Sequence, residues 1–122
     1  MVIRKEKKIR LPEAKNLFQH RGLDPFFSNN ELEKYFNGRN YGSIAARYLA
    51  KQIILEQLSL GDDLFHEISI YNDPYGKPQA DYSGRTAMAV AATEGLHFIH
   101  LSLSHSKNFA AAFVIFEYFY KT

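Results

Sequence analysis

The chain has 122 residues, 46% of them hydrophobic, with a formal charge of only +2 and no cysteine. That length makes one domain with a core of its own. The composition excludes disulfides, thiolate metal sites and cysteine nucleophiles, and no run approaches the roughly 18 apolar residues of a membrane span. The net charge does not argue for nucleic acid, and the charged start lacks the apolar segment of a secretory signal. The absence of thiol chemistry fits a reducing cytoplasm. The expectation is a cytoplasmic protein spanning residues 1–122 as a single domain, with neither a membrane nor a nucleic-acid partner.

In chain order, Arg4, Lys5, Lys7, Lys8 and Arg10 crowd the opening against one acid, Glu6. They read either as a solvated, partly frayed terminus or as a docking patch for an acidic partner. Pro12 and Glu13 open a helix that runs to about His20 and stops at Gly22. Ser28, Asn29 and Asn30 cap a short helix beginning at Glu31. Gly38 and Gly42 bracket a loop. Ser43 then caps the longest helix, Ile44 to about Leu58, stopped at Gly61. That helix is apolar almost all round, which predicts burial against a sheet. Gln52 lies among Tyr48, Ala45 and Leu49, so its amide must hydrogen-bond or face a site.

Phe65 to Tyr71 reads as a strand. Asn72 to Pro78 is a turn by composition, and Gln79 to Tyr82 returns. Arg85 to Glu94 is an Ala-rich helix ended by Gly95. Two strands close the chain, from about His97 to His105 and from Phe109 to Glu117. Helices first, then mixed strands with one helix, predict an α+β domain: an antiparallel sheet packed on the long helix.

The closing pair carries the chemistry. Alternation puts Ile99, Leu101 and Leu103 on one face and His100, Ser102 and Ser104 on the other. A sheet core has no use for serines and histidines together, whereas a phosphate or hydroxyl-rich ligand does. His97 and His100 point to opposite faces of a strand and cannot chelate one ion. His105, beside Ser104, Ser106 and Lys107, is either a turn residue or an anion contact. No nucleophile elbow or orienting acid supports a Ser–His hydrolase. In Gly76-Lys77-Pro78, glycine permits close backbone approach, proline stiffens the exit and lysine offers a cation. The spacing is not that of a nucleotide P-loop.

Three segments, taken together and in order, resemble the holo-acyl-carrier-protein synthases. Arg47-Tyr48-Leu49-Ala50-Lys51-Gln52 is similar to that family's Arg-Phe-Ala-x-Lys-Glu helix. Ile68 to Asp73 and then Gly76-Lys77-Pro78 resemble its strand and Gly-Lys-Pro turn. His100 to His105, through Ala111, Val114 and Glu117, resembles its closing Ser-x-Ser-His strand pair. Phe27 to Glu31 is a fourth match. The resemblance covers residues 27–117. It implies a small 4'-phosphopantetheinyl transferase that moves phosphopantetheine from coenzyme A to a serine of an acyl carrier protein, as a homotrimer with sites between subunits. It implies that Arg47 and Lys51 lie near the phosphates, that Gly76, Lys77 and Pro78 border the coenzyme A pocket, and that Ser104 and His105 contact phosphate groups. Lys51 and Gln52 take the catalytic positions, and the basic opening meets the acidic carrier.

The resemblance breaks at the metal. The family's magnesium ligands are a Glu after the helix Lys and an Asp in the opening strand. Here the first position is Gln52, and the opening reads Ile3-Arg4-Lys5-Glu6-Lys7-Lys8-Ile9, with no such Asp. A hard cation wants anionic oxygens, so no metal ligand is expected and magnesium is in doubt. Two functions stay open: a transferase with an altered site, or a non-catalytic homologue that binds carrier protein or coenzyme A.

Overall fold

The basic opening forms a strand, β1 (Val2–Arg10), in the computed structural model, which describes residues 1–36 and 40–120. It is therefore not a frayed terminus. Ile3 and Ile9 turn inward while Arg4, Glu6, Lys8 and Arg10 stay in water. Only two apolar anchors in nine residues hid the period. The helix α1 (Leu11–Arg21) follows at once, with proline in its first turn, and Gly22 closes it at φ 76°.

Ser28 caps α2 (Asn29–Tyr35) through a capping box with Glu31. The long helix α3 (Tyr41–Gln57) starts earlier than the sequence reading placed it. Its cap is Asn40, which accepts from the Ser43 amide at 3.2 Å, so the Ser43 hydroxyl is left for other work. Gly42 lies in the first turn of α3 rather than bordering a loop. Gly38, the other proposed border, lies outside the described residues. Asp62–Glu67 is a 3-10 turn, and the strand β2 (Ile68–Asn72) begins only after it. Adjacent buried Leu64 and Phe65 do not alternate, which is why the strand starts later than Phe65. Then come β3 (Pro78–Tyr82), α4 (Gly84–Ala92), β4 (Leu96–His105) and β5 (Phe109–Tyr118).

The strands form two antiparallel sheets, β1-β5-β4 and β2-β3. In the larger one the central β5 sets Phe116 opposite Ile3, and Val114 opposite Leu101. The inward row of β5, Ala110, Ala112, Val114 and Phe116, is fully buried. The helix α3 packs across all three strands. Small residues on both sides, Ala45, Ala46 and Ala50 against Ala110 and Ala112, allow close approach. A second layer of rings, Phe18, Phe26, Phe27, Tyr48 and Phe65, meets mostly edge to face. The fold is α+β, as the element order predicts.

Candidate functional site

The N-terminal end of α3 faces the β2–β3 turn and the end of β4. Between them lies a cleft of about 200 Å³ lined by Ser43, Ala46, Arg47, Asn72, Gly76, Pro78, Leu103 and His105. The first amides of a helix have no intrahelical acceptor and sit at its positive end, which suits an anion. Arg47 adds a full charge. It is only 4% exposed, and its Nη1 donates to the Ser43 hydroxyl one turn back. No carboxylate is among the lining residues. His105 closes the cleft by lying on Gly42: a Cβ there would sit 2.6 Å from its Nδ1. Gly42 is therefore required by close approach of the ring.

The far wall is a braced turn. Asp73 Oδ1 accepts the amides of Tyr75 and Lys77, both at 2.9 Å, and its Oδ2 accepts from Gln79 at 3.2 Å. These donors, Lys77 first, hold the Asp73 carboxyl below its ordinary range. Gly76 takes φ +81°, a left-handed conformation that favours glycine.

Four of the predicted residues, Arg47, Gly76, Pro78 and His105, meet in this cleft. Lys77 is exposed in the turn and outside the lining. Ser104 is parted from His105 by strand alternation: it lies on the outward face, while His105 shares the inward face with Leu101 and Leu103. Gln52 is half-buried and also outside the lining. Lys51 departs furthest from expectation. It is fully buried, so it touches no ligand in the cleft. Its ammonium meets Glu31 Oε1, the Phe26 carbonyl at 2.8 Å and the Phe65 carbonyl at 3.4 Å. Burial pushes its pKa down to about 8, against the pull of Glu31. The sequence reading missed Ser43 and Asn72 as cleft residues. The Ser43–Arg47 spacing of one helical turn was the available signal.

No family model matches this chain. Individual relatives do. It is 36% identical over 100 residues to the holo-acyl-carrier-protein synthase of Syntrophus aciditrophicus (strain SB), covering 78% of this chain and 77% of that one. The synthase of Salinispora arenicola (strain CNS-205) is 38% identical over 91 residues, 71% and 74% of the two chains.

The chain belongs to the holo-acyl-carrier-protein synthase family.

The fold agrees with that of solved holo-acyl-carrier-protein synthases. A coenzyme A complex of the synthase from Chronobacterium ammoniagenes superposes with a TM-score of 0.83 at 22% identity, over 98% of this chain and 99% of that one. The Bacillus anthracis holo-acyl-carrier-protein synthase, solved in complex with CoA (3',5'-ADP), gives 0.71 at 25% identity over 95% and 96%.

The donor set of this holo-acyl-carrier-protein synthase relative does not fit the magnesium its resemblance implies. Gln52 brings an amide where a carboxylate is required. Glu56, one turn on, is held by Lys7 of β1 at 2.6 Å. Glu31 is spent on Lys51 and on the Ile70 amide. Among the described residues no three His, Asp or Glu side chains gather as a metal group.

Proposed function

We propose that this chain transfers phosphopantetheine from coenzyme A to a serine of an acyl carrier protein. One observation carries the reading: in a member of this family, Ser43, Arg47, Gly76, Pro78 and His105 converge on a carboxylate-free cleft at a helix N-terminus. The cleft suits the phosphate-bearing 3',5'-ADP end of coenzyme A. Arg47 and the positive end of α3 neutralise the pyrophosphate, His105 donates to it, and the Gly76 backbone lets the ligand lie close. The serine oxygen forms a new bond to the phosphorus bearing the pantetheine. The pyrophosphate bridge opens, 3',5'-ADP departs with the electron pair, and the hydroxyl proton is released to water. Phosphoryl transfer asks chiefly for positioning and charge neutralisation. Here both come from protein groups, and no step is routed through a metal.

A second reading, binding without transfer, is favoured by Gln52, which removes a carboxylate from the family's pattern. Labelling a carrier protein with fluorescent coenzyme A separates the two: incorporation means transfer, and nucleotide binding without incorporation means a binding homologue.

Assembly follows from the outward sheet face. Phe98 (53% exposed), Phe109 (37%), Phe113 (43%) and Val2 (51%) stand on it unburied. Aromatics of this kind belong in an interface, and we read the β4–β5 part of the face as the contact of a homotrimer. The exposed cations Arg4, Lys5, Lys8 and Arg10 on β1 suit an acidic carrier. No helix among the described residues is long and apolar enough to cross a membrane. With no cysteine in the chain, we place the protein in the cytoplasm.

A further inference from the structure

We propose that the buried Glu31–Lys51 pair is a positioning device that fixes the two walls of the anion cleft relative to each other. The inference rests on the reading of the cleft as a nucleotide site. Lys51 lies on α3 one turn after Arg47, and so belongs to the wall that carries Ser43 and Arg47. Glu31 reaches the other wall. Its Oε2 accepts the Ile70 amide at 3.1 Å, on the strand that ends in Asn72 and the braced turn. Its Oε1 accepts the Ser28 amide at 3.0 Å as well as the Lys51 ammonium. Lys51 in turn holds the Phe26 and Phe65 carbonyls and lies 4.7 Å from the centre of the Phe27 ring.

Every donor of the ammonium thus has an acceptor, and both carboxylate oxygens are used. The pair joins the loop before α2, α2 itself, α3, the 3-10 turn and β2. Of these, α3 carries Ser43, Ala46 and Arg47 on one wall of the cleft and β2 carries Asn72 on the other. A buried pair is weak evidence for stability, because two well-packed apolar residues often do as well. What apolar residues cannot do is direct a hydrogen bond at one backbone amide of β2. Lys51 also places a charge near Arg47, and its repulsion is part of what lowers the Lys51 pKa. Glu31 offsets that repulsion at the Lys51 ammonium. Neither Glu31 nor Lys51 is among the residues that line the cleft. The role is therefore positioning, exerted through Arg47 and Asn72.

The test uses the full chain as wild type, Lys51→Met, Glu31→Gln and a control variant, Phe116→Leu, matched in melting temperature but away from the cleft. Affinity for 3',5'-ADP is read by calorimetry. KM for coenzyme A and kcat are read by labelling a carrier protein. Both pair variants should raise Kd and KM about tenfold with kcat within about twofold, the pattern of lost ground-state positioning. The control should match wild type. If Lys51→Met does not fold, Glu31→Asp, which keeps the charge and shortens the reach, carries the same expectation. Pair variants that bind like the control overturn the inference alone. A collapse of kcat with Kd unchanged also overturns it, because Lys51 would then act in the chemistry. A wild type that does not bind 3',5'-ADP overturns the cleft reading and this inference together.

Discussion

Replacing Gly42 by alanine should separate ligand affinity from stability. The added methyl would lie 2.6 Å from Nδ1, 2.7 Å from Cγ and 2.9 Å from Cβ of His105. Carbon contacts are favourable only near 3.5–4.0 Å. Because the Cβ of His105 is among the crowded atoms, turning the ring about its own axis gives no relief. The imidazole has to leave the cleft. Folding should hardly notice. Alanine is better than glycine in a helix by about 1 kcal/mol, which offsets the local strain, and His105 is already exposed at the end of β4. Binding should notice. A hydrogen bond to a charged group contributes about 1.5–3 kcal/mol, or roughly ten- to hundredfold in affinity. Calorimetry with 3',5'-ADP on wild type, Gly42→Ala and His105→Ala should show similar losses in the two variants, with melting temperatures within a few degrees of wild type. Wild-type affinity in Gly42→Ala with a loss in His105→Ala would refute the claim that Gly42 seats the ring. Wild-type affinity in both would remove His105 from the site.

Other consequences are open to direct measurement. Lys77→Ala should change 3',5'-ADP affinity by less than about twofold, since the side chain is exposed outside the cleft. A tenfold loss in the same titration would return Lys77 to the site. Phe116→Ala, at a fully buried position of the central strand β5, should cost about 3–5 kcal/mol in urea unfolding. Lys51 sets a pH dependence. Its pKa is about 8 in the fold against 10.5 unfolded, so between these values the unfolded chain holds a proton that the folded chain has lost. Stability therefore rises with pH across that window, by about 3 kcal/mol from this group, and is level below 8, where both states hold the proton. The difference between wild-type and Lys51→Met unfolding curves isolates the effect, and a flat difference from pH 8 to 10.5 would contradict it. Magnesium titrated calorimetrically should give no heat of binding with wild type and weak binding with Gln52→Glu; tight wild-type binding would mean another carboxylate holds the ion.

What could be read in advance followed the physics of each segment. The long helix announced itself because it is apolar on nearly every side, and the closing strands because Leu101 and Leu103 alternate with Ser102 and Ser104. The cleft was half legible: Arg47, Gly76, Pro78 and His105 stand in motifs whose order resembles one family. Ser104 and His105 were grouped as neighbours in sequence although strand geometry parts them. Lys51 was grouped with Arg47 because both stand in the helix segment that resembles the family's motif. Its partner lies 20 residues earlier, and nothing local in the sequence says that Glu31 will be buried beside it. The β1 strand escaped notice because its solvent face is the charged one and its inward row contains Lys7 between two isoleucines.

The register of β5 has a consequence for how the chain comes together during synthesis. β5 is the last described element to be made, yet it is the central strand and lies under α3. The Met1 ammonium donates to the Tyr118 carbonyl at 3.0 Å, and the Tyr118 amide to the Met1 carbonyl at 2.9 Å, across 117 positions. While the nascent chain is still tethered, β1 and β4 have no strand between them, and the apolar side of α3 stands in water. Closure of so long a loop waits until β5 has been made. In that interval the partly made chain exposes apolar surface and unpaired strand edges, the features that make an incomplete fold prone to aggregate.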